Sequence, residues 1–275
     1  MAKEITKKSN AKINLFLDIL KKKPDGFHEI RTIFTEVDVW DSINFVLTKK
    51  PYIKIFVNVK SLANRRNLAY KIAFFIHEKY RVKKGVEINL EKKIPISAGL
   101  GGGSSNAAQT ILALSELWDL NLSKSEMHKI ASKFGSDINY FLEGGTAIGI
   151  DRGNIIKKTS NQLKIDNILL INPRIEISSG EAYSLVKISQ PNNGWEKLLD
   201  NNIKFAFNKL EDGVFKKYPM IKNIKEVLLK HNALNAIMSG SGPTVIGFFD
   251  NKDELEEAQN FFSKKGFWTI KTKTT

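Results

Sequence analysis

The chain has 275 residues, of which 42% are hydrophobic and 26% are charged, and its net charge is +14 at pH 7. This composition is typical of a globular protein with a sizeable core, and the lack of cysteine excludes disulfides, thiolate zinc sites and a cysteine nucleophile. No apolar run reaches the roughly 18 residues of a membrane span, and the N-terminal sequence lacks the order of a signal peptide, so we expect a cytoplasmic protein without a membrane partner.

The first part of the sequence predicts mostly strands. Alternating apolar residues indicate strands over "AKINLFLDI", "RTIFTEVDVW", "YIKIFVNV" and "GVEINL", and "PDG" predicts a turn between the first two. Apolar residues at helical spacing predict a helix over "NLAYKIAFFIHEKY".

A glycine-rich stretch, "GLGGGSS", is followed by a helical pattern in "NAAQTILALSELW". The next helix is predicted over "SKSEMHKIASKFG", where Ser123 and Glu126 form a capping box and Gly135 is the stop. Strands are predicted at "GGTAIGI" and "NILLINP".

Helices dominate the remainder, with patterns at "EAYSLVK", "IKNIKEVLLKHNA" and "DELEEAQNFFSKKG". A second glycine-rich turn, "MSGSGP", leads into a strand, and "FWTIKT" predicts a closing strand. The least regular segment, "DRGNIIKKTSNQLK", is the expected boundary between two α+β domains, residues 1–157 and 158–275.

The positive charge permits two interpretations, a nucleic-acid surface or a site for an anionic small molecule. Lysines are spread along the chain and flank hydrophobic runs, and no arginine-rich block is interleaved with aromatic residues. We therefore expect a solvated lysine-rich surface that is compatible with phosphate ligands, and no nucleic-acid partner.

The glycine cluster indicates a phosphate-binding loop. Its glycines allow positive φ and close approach of the backbone, its serines add hydroxyls, and the following helix offers free N–H groups at its N-terminus. The alternative is a purely structural turn. The loop is neither of the two common nucleotide motifs, because no lysine follows the glycines and Ser104 stands where a third dinucleotide-binding glycine would be.

Together with that loop, four further segments resemble the GHMP small-molecule kinases, in the order that family shows. They are "AKINLFLDI", "KKKPDGFHEI", "SDINYFLEGGTAIGIDRG" and "MSGSGPTVIGFF", and the loop reads "PISAGLGGGSSNAA". The resemblance implies a two-domain α+β fold, with an N-terminal mixed or antiparallel sheet with helices, a C-terminal ferredoxin-like sandwich, and the active site in the cleft between the two. It also implies ATP and Mg²⁺ as cofactors, and a monomer or weak homodimer.

The resemblance assigns Lys12 and Asp137 to catalysis. Asp137 would accept the proton of the substrate hydroxyl, and Lys12 would face it and polarise that hydroxyl. From the residues alone, the sequence favours a turn or cap role for Asp137 and a solvated strand face for Lys12.

The resemblance implies that the turn "DGFHEI" binds a cytidine diphosphate derivative of methylerythritol. His28 would hydrogen-bond the cytosine edge, while Phe27, where the family usually has tyrosine, and Tyr183 would stack on the ring. Asn14 would contact the substrate from the strand face of Lys12, and Gly240 and Gly242 would close the site near the phosphates. Ordinary structural roles are the alternative for Tyr183, His28 and the two glycines.

The resemblance places the ATP phosphates at the glycine loop. The residues assigned to the nucleotide are Pro95, Gly99, Leu100, Gly101, Gly102, Gly103, Ser104 and Ser105, with Asn67 and Lys93 near the nucleoside. The metal ligands are unknown, with Ser104 or Ser105 as the available guess. The leading function is thus an ATP-dependent kinase of this cytidyl substrate. Two functions compete with it: another GHMP kinase with a different alcohol substrate, such as mevalonate or homoserine, and a non-enzymatic nucleotide or nucleic-acid binder.

Overall fold

The computed structural model describes residues 3–275. They group into two compact units, each built from several stretches of the chain. The first unit contains the described residues up to 11 together with 39–94 and 101–143, and the second contains 12–38, 95–100 and 144–275. The expected domain division between residues 157 and 158 stays a prediction.

Two long strands, β1 (Glu4–Lys22) and β2 (His28–Thr48), contribute residues to both units. In the first unit they are joined by β3 (Ile53–Val57) and β4 (Gly85–Glu91), in the order β3-β4-β2-β1. β3 runs parallel to β4, and β4 runs antiparallel to β2. β1 and β2 extend well beyond the predicted strands because polar residues, partly exposed, continue the pairing past the apolar runs.

Four helices complete the first unit among the described residues: α1 (Leu68–Lys79), α2 (Gly102–Leu117), α3 (Lys124–Phe134) and α4 (Ser136–Glu143). α2 packs against the other three and buries Ala107, Ala108, Ile111 and Leu114 completely. The predicted capping box at Ser123 and the stop at Gly135 are confirmed. The sequence patterns did not predict α4, which is short and begins directly after that stop.

The second unit begins, after its share of β1 and β2, with a hairpin of β5 and β6, and it ends in a second sheet with its helices. The bounds are β5 (Ala147–Asp151), β6 (Ile155–Lys158), β7 (Ile168–Asn172), α5 (Ser179–Ser184), α6 (Trp195–Leu199), β8 (Phe207–Asn208), α7 (Glu211–Lys217), α8 (Pro219–Lys230), β9 (Asn235–Met238), β10 (Val245–Phe248), α9 (Lys252–Lys264) and β11 (Trp268–Thr272).

β5 pairs antiparallel with both β2 and β6, and β8 pairs parallel with β1. The segment 151–164 was expected to be irregular, and that expectation is wrong for its first part. Asp151 and Gly153 take positive φ in a tight turn, and residues 155–158 then form β6. Because β6 is almost entirely exposed, the sequence of this segment is polar and rich in lysine and lacks the alternation of apolar residues that predicts a strand.

The second sheet has the strand order β11-β7-β10-β9, and all its neighbours are antiparallel. α8 lies between β7 and β9 along the chain, and α9 lies between β10 and β11. This is the split βαβ arrangement of ferredoxin-like folds, so the predicted class of the C-terminal part is confirmed. Its core includes Leu169, Ile171, Ile221, Leu228 and Phe262.

Within residues 3–275, no helix combines the length and the apolar character needed to cross a bilayer.

Replacing the capping serine of α3 tests how this helix is held. Ser123→Ala removes the acceptor of the Glu126 backbone N–H and should cost α3 about 1 kcal/mol. We expect the α3 amides to exchange with deuterium about five times faster, as seen by mass spectrometry. The control is Ser125→Ala, at an exposed serine two residues further along the chain. This variant should change the exchange rate of the α3 amides by less than about twofold. Equal exchange in the two variants would contradict the capping role.

Candidate active site

The glycine loop forms the N-terminus of α2. Gly99 and Gly101 take positive φ, of 73° and 67°, and Gly101 is the N-cap residue. The helix begins at Gly102, inside the glycine run, earlier than the predicted start at Asn106. The first backbone N–H groups of a helix have no partner within it, so those of Gly102, Gly103 and Ser104 form a cradle for an anion.

The two glycines in the first turn of α2 have different surroundings. A Cβ on Gly102 would lie 3.0 Å from the Lys92 Nζ and from a methyl carbon of Ile94, so the helix passes close over these side chains. A Cβ on Gly103 would meet nothing within 4 Å. The Gly103 side of this turn therefore faces open space, as a ligand cradle requires.

A buried polar network in the first unit lies beneath this turn, and sequence reasoning missed it. The Asp41 carboxylate is fully buried; its Oδ1 accepts hydrogen bonds from the backbone N–H groups of Lys93, at 2.7 Å, and Ile94, at 2.9 Å. Its Oδ2 pairs with the Lys92 ammonium and accepts from Asn106 Nδ2 at 3.0 Å. The network ties the residues before the loop to the first turns of α2.

Two serines extend this network. Ser9 Oγ donates to Ser105 Oγ at 2.7 Å and accepts from Asn106 Nδ2 at 2.9 Å, and Ser105 is fully buried. The Ser105 hydroxyl is thus engaged by the protein, which leaves Ser104 as the better of the two guesses for a ligand hydroxyl. A signal for Asp41 was present in the sequence, because it lies on the same buried face of β2 as Val39 and Ile43, two residues from each.

Lys12 and Asn14 lie side by side in the part of β1 that belongs to the second unit. Lys12 is 4% exposed, so the alternative of a solvated strand face is wrong. Its ammonium donates to Asn14 Oδ1 and lies 5.5 Å from the centre of the Phe34 ring. Asn14 Nδ2 in turn donates to Thr32 Oγ1 at 2.7 Å. These contacts hold a buried cation in one orientation.

The turn between β9 and β10 contacts this pair and Gly99, all within the second unit. Ser239 Oγ donates to the Gly99 carbonyl at 3.0 Å, and a Cβ on Gly99 would lie 2.2 Å from the Ser239 carbonyl oxygen. A Cβ on Gly240 would lie 3.0 Å from Asn14 Oδ1 and 3.3 Å from Lys12 Nζ. The structure therefore brings Gly99, Gly240, Lys12 and Asn14 together.

Two residues hold this turn that the sequence patterns did not single out. Asn208 Nδ2 donates to the carbonyl oxygens of Met238, at 2.6 Å, and Gly240, at 2.7 Å. Glu211 Oε1 accepts the Met238 N–H at 2.7 Å, and Glu211 Oε2 pairs with Lys225. Burial raises the pKa of the Glu211 carboxyl.

The segment after "PDG" places two of the expected substrate residues in contact. The His28 ring stacks on the Tyr183 ring, with 5.5 Å between centroids and 26° between planes. Tyr183 also packs against the core of the second unit, so it has a structural contact as well. Burial, and then the charge of Lys22, lowers the pKa of His28 below its ordinary value of 6.5. Phe27 lies on the surface of the turn and is 56% exposed.

The remaining assigned residues lie in varied local settings. Asp137 is in the first turn of α4, within the first unit, where a carboxylate favourably meets the helix dipole. Asn67 caps α1 through the Ala69 N–H and also donates to the Leu62 carbonyl. The exposed Lys93 ammonium lies 4.7 Å from the centre of the Trp40 ring.

The approach to the loop supplies mainly backbone. Leu100 is buried, and its carbonyl accepts the Lys12 N–H at 2.9 Å, while Pro95 is partly exposed. Gly242 has a φ of 82° in the turn after β9. Among residues 3–275, no three His, Asp or Glu side chains are placed together to hold a metal ion.

The close approach at Gly99 predicts a large difference between two glycine variants. Gly99→Ala places a methyl group against the Ser239 carbonyl and strains a positive φ, so we expect a lower melting temperature and less folded protein. Gly103→Ala has open space and a helical position, so its melting temperature should be unchanged or slightly higher. Differential scanning calorimetry compares the two variants. A wild-type melting temperature in Gly99→Ala would contradict the packing described.

Two family models match the chain. The GHMP kinases N terminal domain matches residues 67–145, and the GHMP kinases C terminal domain matches residues 191–267. Curated relatives match over almost the full length. A 4-diphosphocytidyl-2-C-methyl-D-erythritol kinase of Thermoanaerobacter pseudethanolicus is 42% identical, covering 93% of this chain and 91% of the relative. The protein of the same name from Syntrophomonas wolfei is 37% identical, covering 96% of each chain.

Solved structures agree with the family models. A crystal structure of 4-(cytidine 5'-diphospho)-2C-methyl-D-erythritol kinase aligns with a TM-score of 0.85 and 27% identity, covering 98% of this chain and 100% of that one. A homoserine kinase from Cytophaga hutchinsonii aligns with a TM-score of 0.73 over 99% of this chain and 94% of that one, and at 17% identity it supports the fold alone. The chain belongs to the GHMP kinase family and has the two-domain α+β fold of that family.

Proposed function

We propose that the protein transfers a phosphoryl group from ATP to the 2-hydroxyl of 4-diphosphocytidyl-2-C-methyl-D-erythritol. The products are ADP and the corresponding 2-phosphate, in the non-mevalonate route to isoprenoid precursors. The observation that carries this proposal is the 42% identity, over 93% of the chain, to a relative that bears the name of this kinase. The geometry of the described residues is consistent with it at three places.

The nucleotide phosphates bind at the first turn of α2. The free N–H groups of this turn and its helix dipole attract anions, and the open space at Gly103 leaves room for them. Mg²⁺, bound through the phosphates, would neutralise the charge that develops during transfer. We assign the Ser104 hydroxyl to the binding of the phosphates and Mg²⁺. Asn67 and Lys93 remain candidates for the nucleoside, although the Asn67 amide is already used in capping α1.

Lys12 and Asp137 carry the chemistry. The Lys12 ammonium is buried, and one of its donors is directed to Asn14, so it acts as an oriented cation on the substrate hydroxyl. Asp137 accepts the proton of that hydroxyl as the oxygen attacks the phosphorus. We place Gly240 in the same site because a Cβ there would lie only 3.0 Å from Asn14 Oδ1 and 3.3 Å from Lys12 Nζ.

The cytidine part of the substrate binds at the turn that precedes β2. His28 offers hydrogen-bonding nitrogens to the cytosine edge, and the contact with Tyr183 sets the plane of its ring. Phe27 supplies an exposed aromatic face on which the base stacks. A turn that binds a nucleobase has no evident use in a kinase for mevalonate or homoserine, because neither of these alcohols contains a nucleobase.

Removing the proposed base should slow turnover strongly. For Asp137→Ala we expect kcat to fall by a factor of about 10² to 10⁴, the usual contribution of general base catalysis, with nucleotide binding largely retained. ADP release in a coupled assay gives kcat, and a fluorescent ATP analogue gives binding. Asp166→Asn, at an exposed carboxylate of the second unit, is the control and should keep wild-type rates. Full activity in Asp137→Ala would reject the assignment.

The competing function is a GHMP kinase for another alcohol, because kinases for homoserine and mevalonate share the fold. The same assay with mevalonate and homoserine in place of the cytidyl substrate separates the two. Equal or better turnover of either alcohol would replace the proposed substrate.

The acid–base behaviour of His28 can be measured directly. Burial is the larger cause of its lowered pKa, so its NMR titration midpoint should lie below 6.5, and Lys22→Met should raise the midpoint only part of the way back. The unfolded chain then binds the proton more readily than the folded one, so this residue lowers stability as the pH falls below 6.5. The His28→Gln spectrum assigns the signal. A midpoint at or above 6.5 would contradict the buried setting.

A further inference from the structure

Residues 23–27 form the turn that carries Phe27, here called the Phe27 turn. Two adjacent ion pairs connect it to the turn between β5 and β6. Lys23 pairs with Asp151, and Asp25 pairs with Arg152. The Phe27 turn is also closed on itself, since the Lys23 N–H donates to the Phe27 carbonyl at 2.7 Å and the Gly26 N–H to the Lys23 carbonyl at 3.0 Å. The backbone on which Phe27 stands is therefore held at both of its ends.

Asp25 connects the Phe27 backbone with a group that covers the Phe27 ring. Its Oδ1 accepts the Phe27 N–H at 3.1 Å, and its Oδ2 accepts from Arg152 Nη2. The same Arg152 guanidinium lies over the Phe27 ring, with 4.1 Å from Cζ to the ring centroid. The Asp25 carboxylate thus holds the backbone of Phe27 and also the Arg152 guanidinium that covers one face of the Phe27 ring.

An exposed phenylalanine on a surface turn would ordinarily sample several ring orientations, and a ligand that stacks on it would have to order it first. Phe27 is 56% exposed although one of its faces is covered. The opposite face is then the available stacking surface, and its plane is set before any ligand arrives. A planar guanidinium suits this task because it can stack on the ring while it pairs with Asp25.

We propose that Arg152 is a positioning residue that fixes the Phe27 ring as a one-faced platform for the cytosine of the substrate. This inference rests on the proposed function, which supplies the cytosine.

A direct contact between Arg152 and the diphosphate of the substrate is the rival explanation, and a double-mutant comparison separates the two. The variants are Arg152→Ala, Phe27→Ala and the pair combined, with Arg81→Ala, an exposed arginine in the turn after α1, as the matched control. For each we measure kcat, the KM for the cytidyl substrate and the KM for ATP. The dissociation constant of cytidine 5′-diphosphate, from titration calorimetry, monitors the platform independently of turnover.

We expect Arg152→Ala to raise the KM for the cytidyl substrate and the dissociation constant of cytidine 5′-diphosphate by about three- to tenfold, the size of a stacked cation and an ordered ring. The kcat and the KM for ATP should stay within about twofold, and Arg81→Ala should match the wild type. Phe27→Ala should weaken binding at least as much, and adding Arg152→Ala to it should have little further effect, because Arg152 acts through the ring.

Unchanged binding in Arg152→Ala would overturn the inference, as would an effect of equal size in the Phe27→Ala background, which would indicate a direct contact with the diphosphate. Failure of the proposed function has a different signature. The wild type would then not phosphorylate the cytidyl substrate, whereas the calorimetric comparison of the four variants would still decide the role of Arg152.

Discussion

The arrangement of the second unit depends on one contact in which two backbone segments meet with no room for a side chain. The Ser239 carbonyl oxygen lies only 2.2 Å from where a Cβ of Gly99 would be, and the Ser239 hydroxyl donates a hydrogen bond to the Gly99 carbonyl. The next carbonyl along the loop, that of Leu100, accepts the backbone N–H of Lys12. The contact therefore sets the position of β1 at the residue that we assign to catalysis, and it places Gly240 against Lys12 and Asn14.

Each unit contains a buried charge that is held by its partners within that unit. Burying a charge without compensation costs several kcal/mol, so Lys12 is paired with Asn14, and Asp41 receives two backbone N–H groups, the Lys92 ammonium and an amide. In the first unit the outcome is a rigid start for α2, whose N–H groups point at the proposed phosphate site. In the second unit the outcome is a cation with a single orientation. Both features are pre-organised, which is how electrostatic catalysis avoids the cost of rearrangement during the reaction.

Much of the secondary structure followed from local patterns. α1, α3 and α9 were predicted to within about two residues because their apolar faces, caps and stops all lie within the sequence of each helix. β6 and α4 were missed for physical reasons: β6 is almost entirely exposed and shows no apolar alternation, and α4 has eight residues, too few for a clear period. The full lengths of β1 and β2 depend on pairing partners that no local pattern contains.

The candidate site was predictable where its residues form a motif, and less so elsewhere. The glycine loop, Lys12, Asn14 and His28 were named from the sequence, and the structure places His28 in contact with Tyr183, which was also named. The burial of Lys12 could not be read from β1, because a strand face is buried or solvated according to what packs on it. Asn208 and Arg152 act through contacts with residues far away in the chain, which local spacing cannot reveal.

The most direct test of the central claim is the position of the phosphoryl group in the product, read by ³¹P NMR after reaction of the cytidyl substrate with ATP. The 2-hydroxyl is on a carbon that carries a methyl group and no hydrogen. The account therefore predicts a new monophosphate signal without coupling to a carbinol proton, beside the unchanged diphosphate signals. A new signal that is split by such a proton, or no new ester while ATP is hydrolysed, would contradict it.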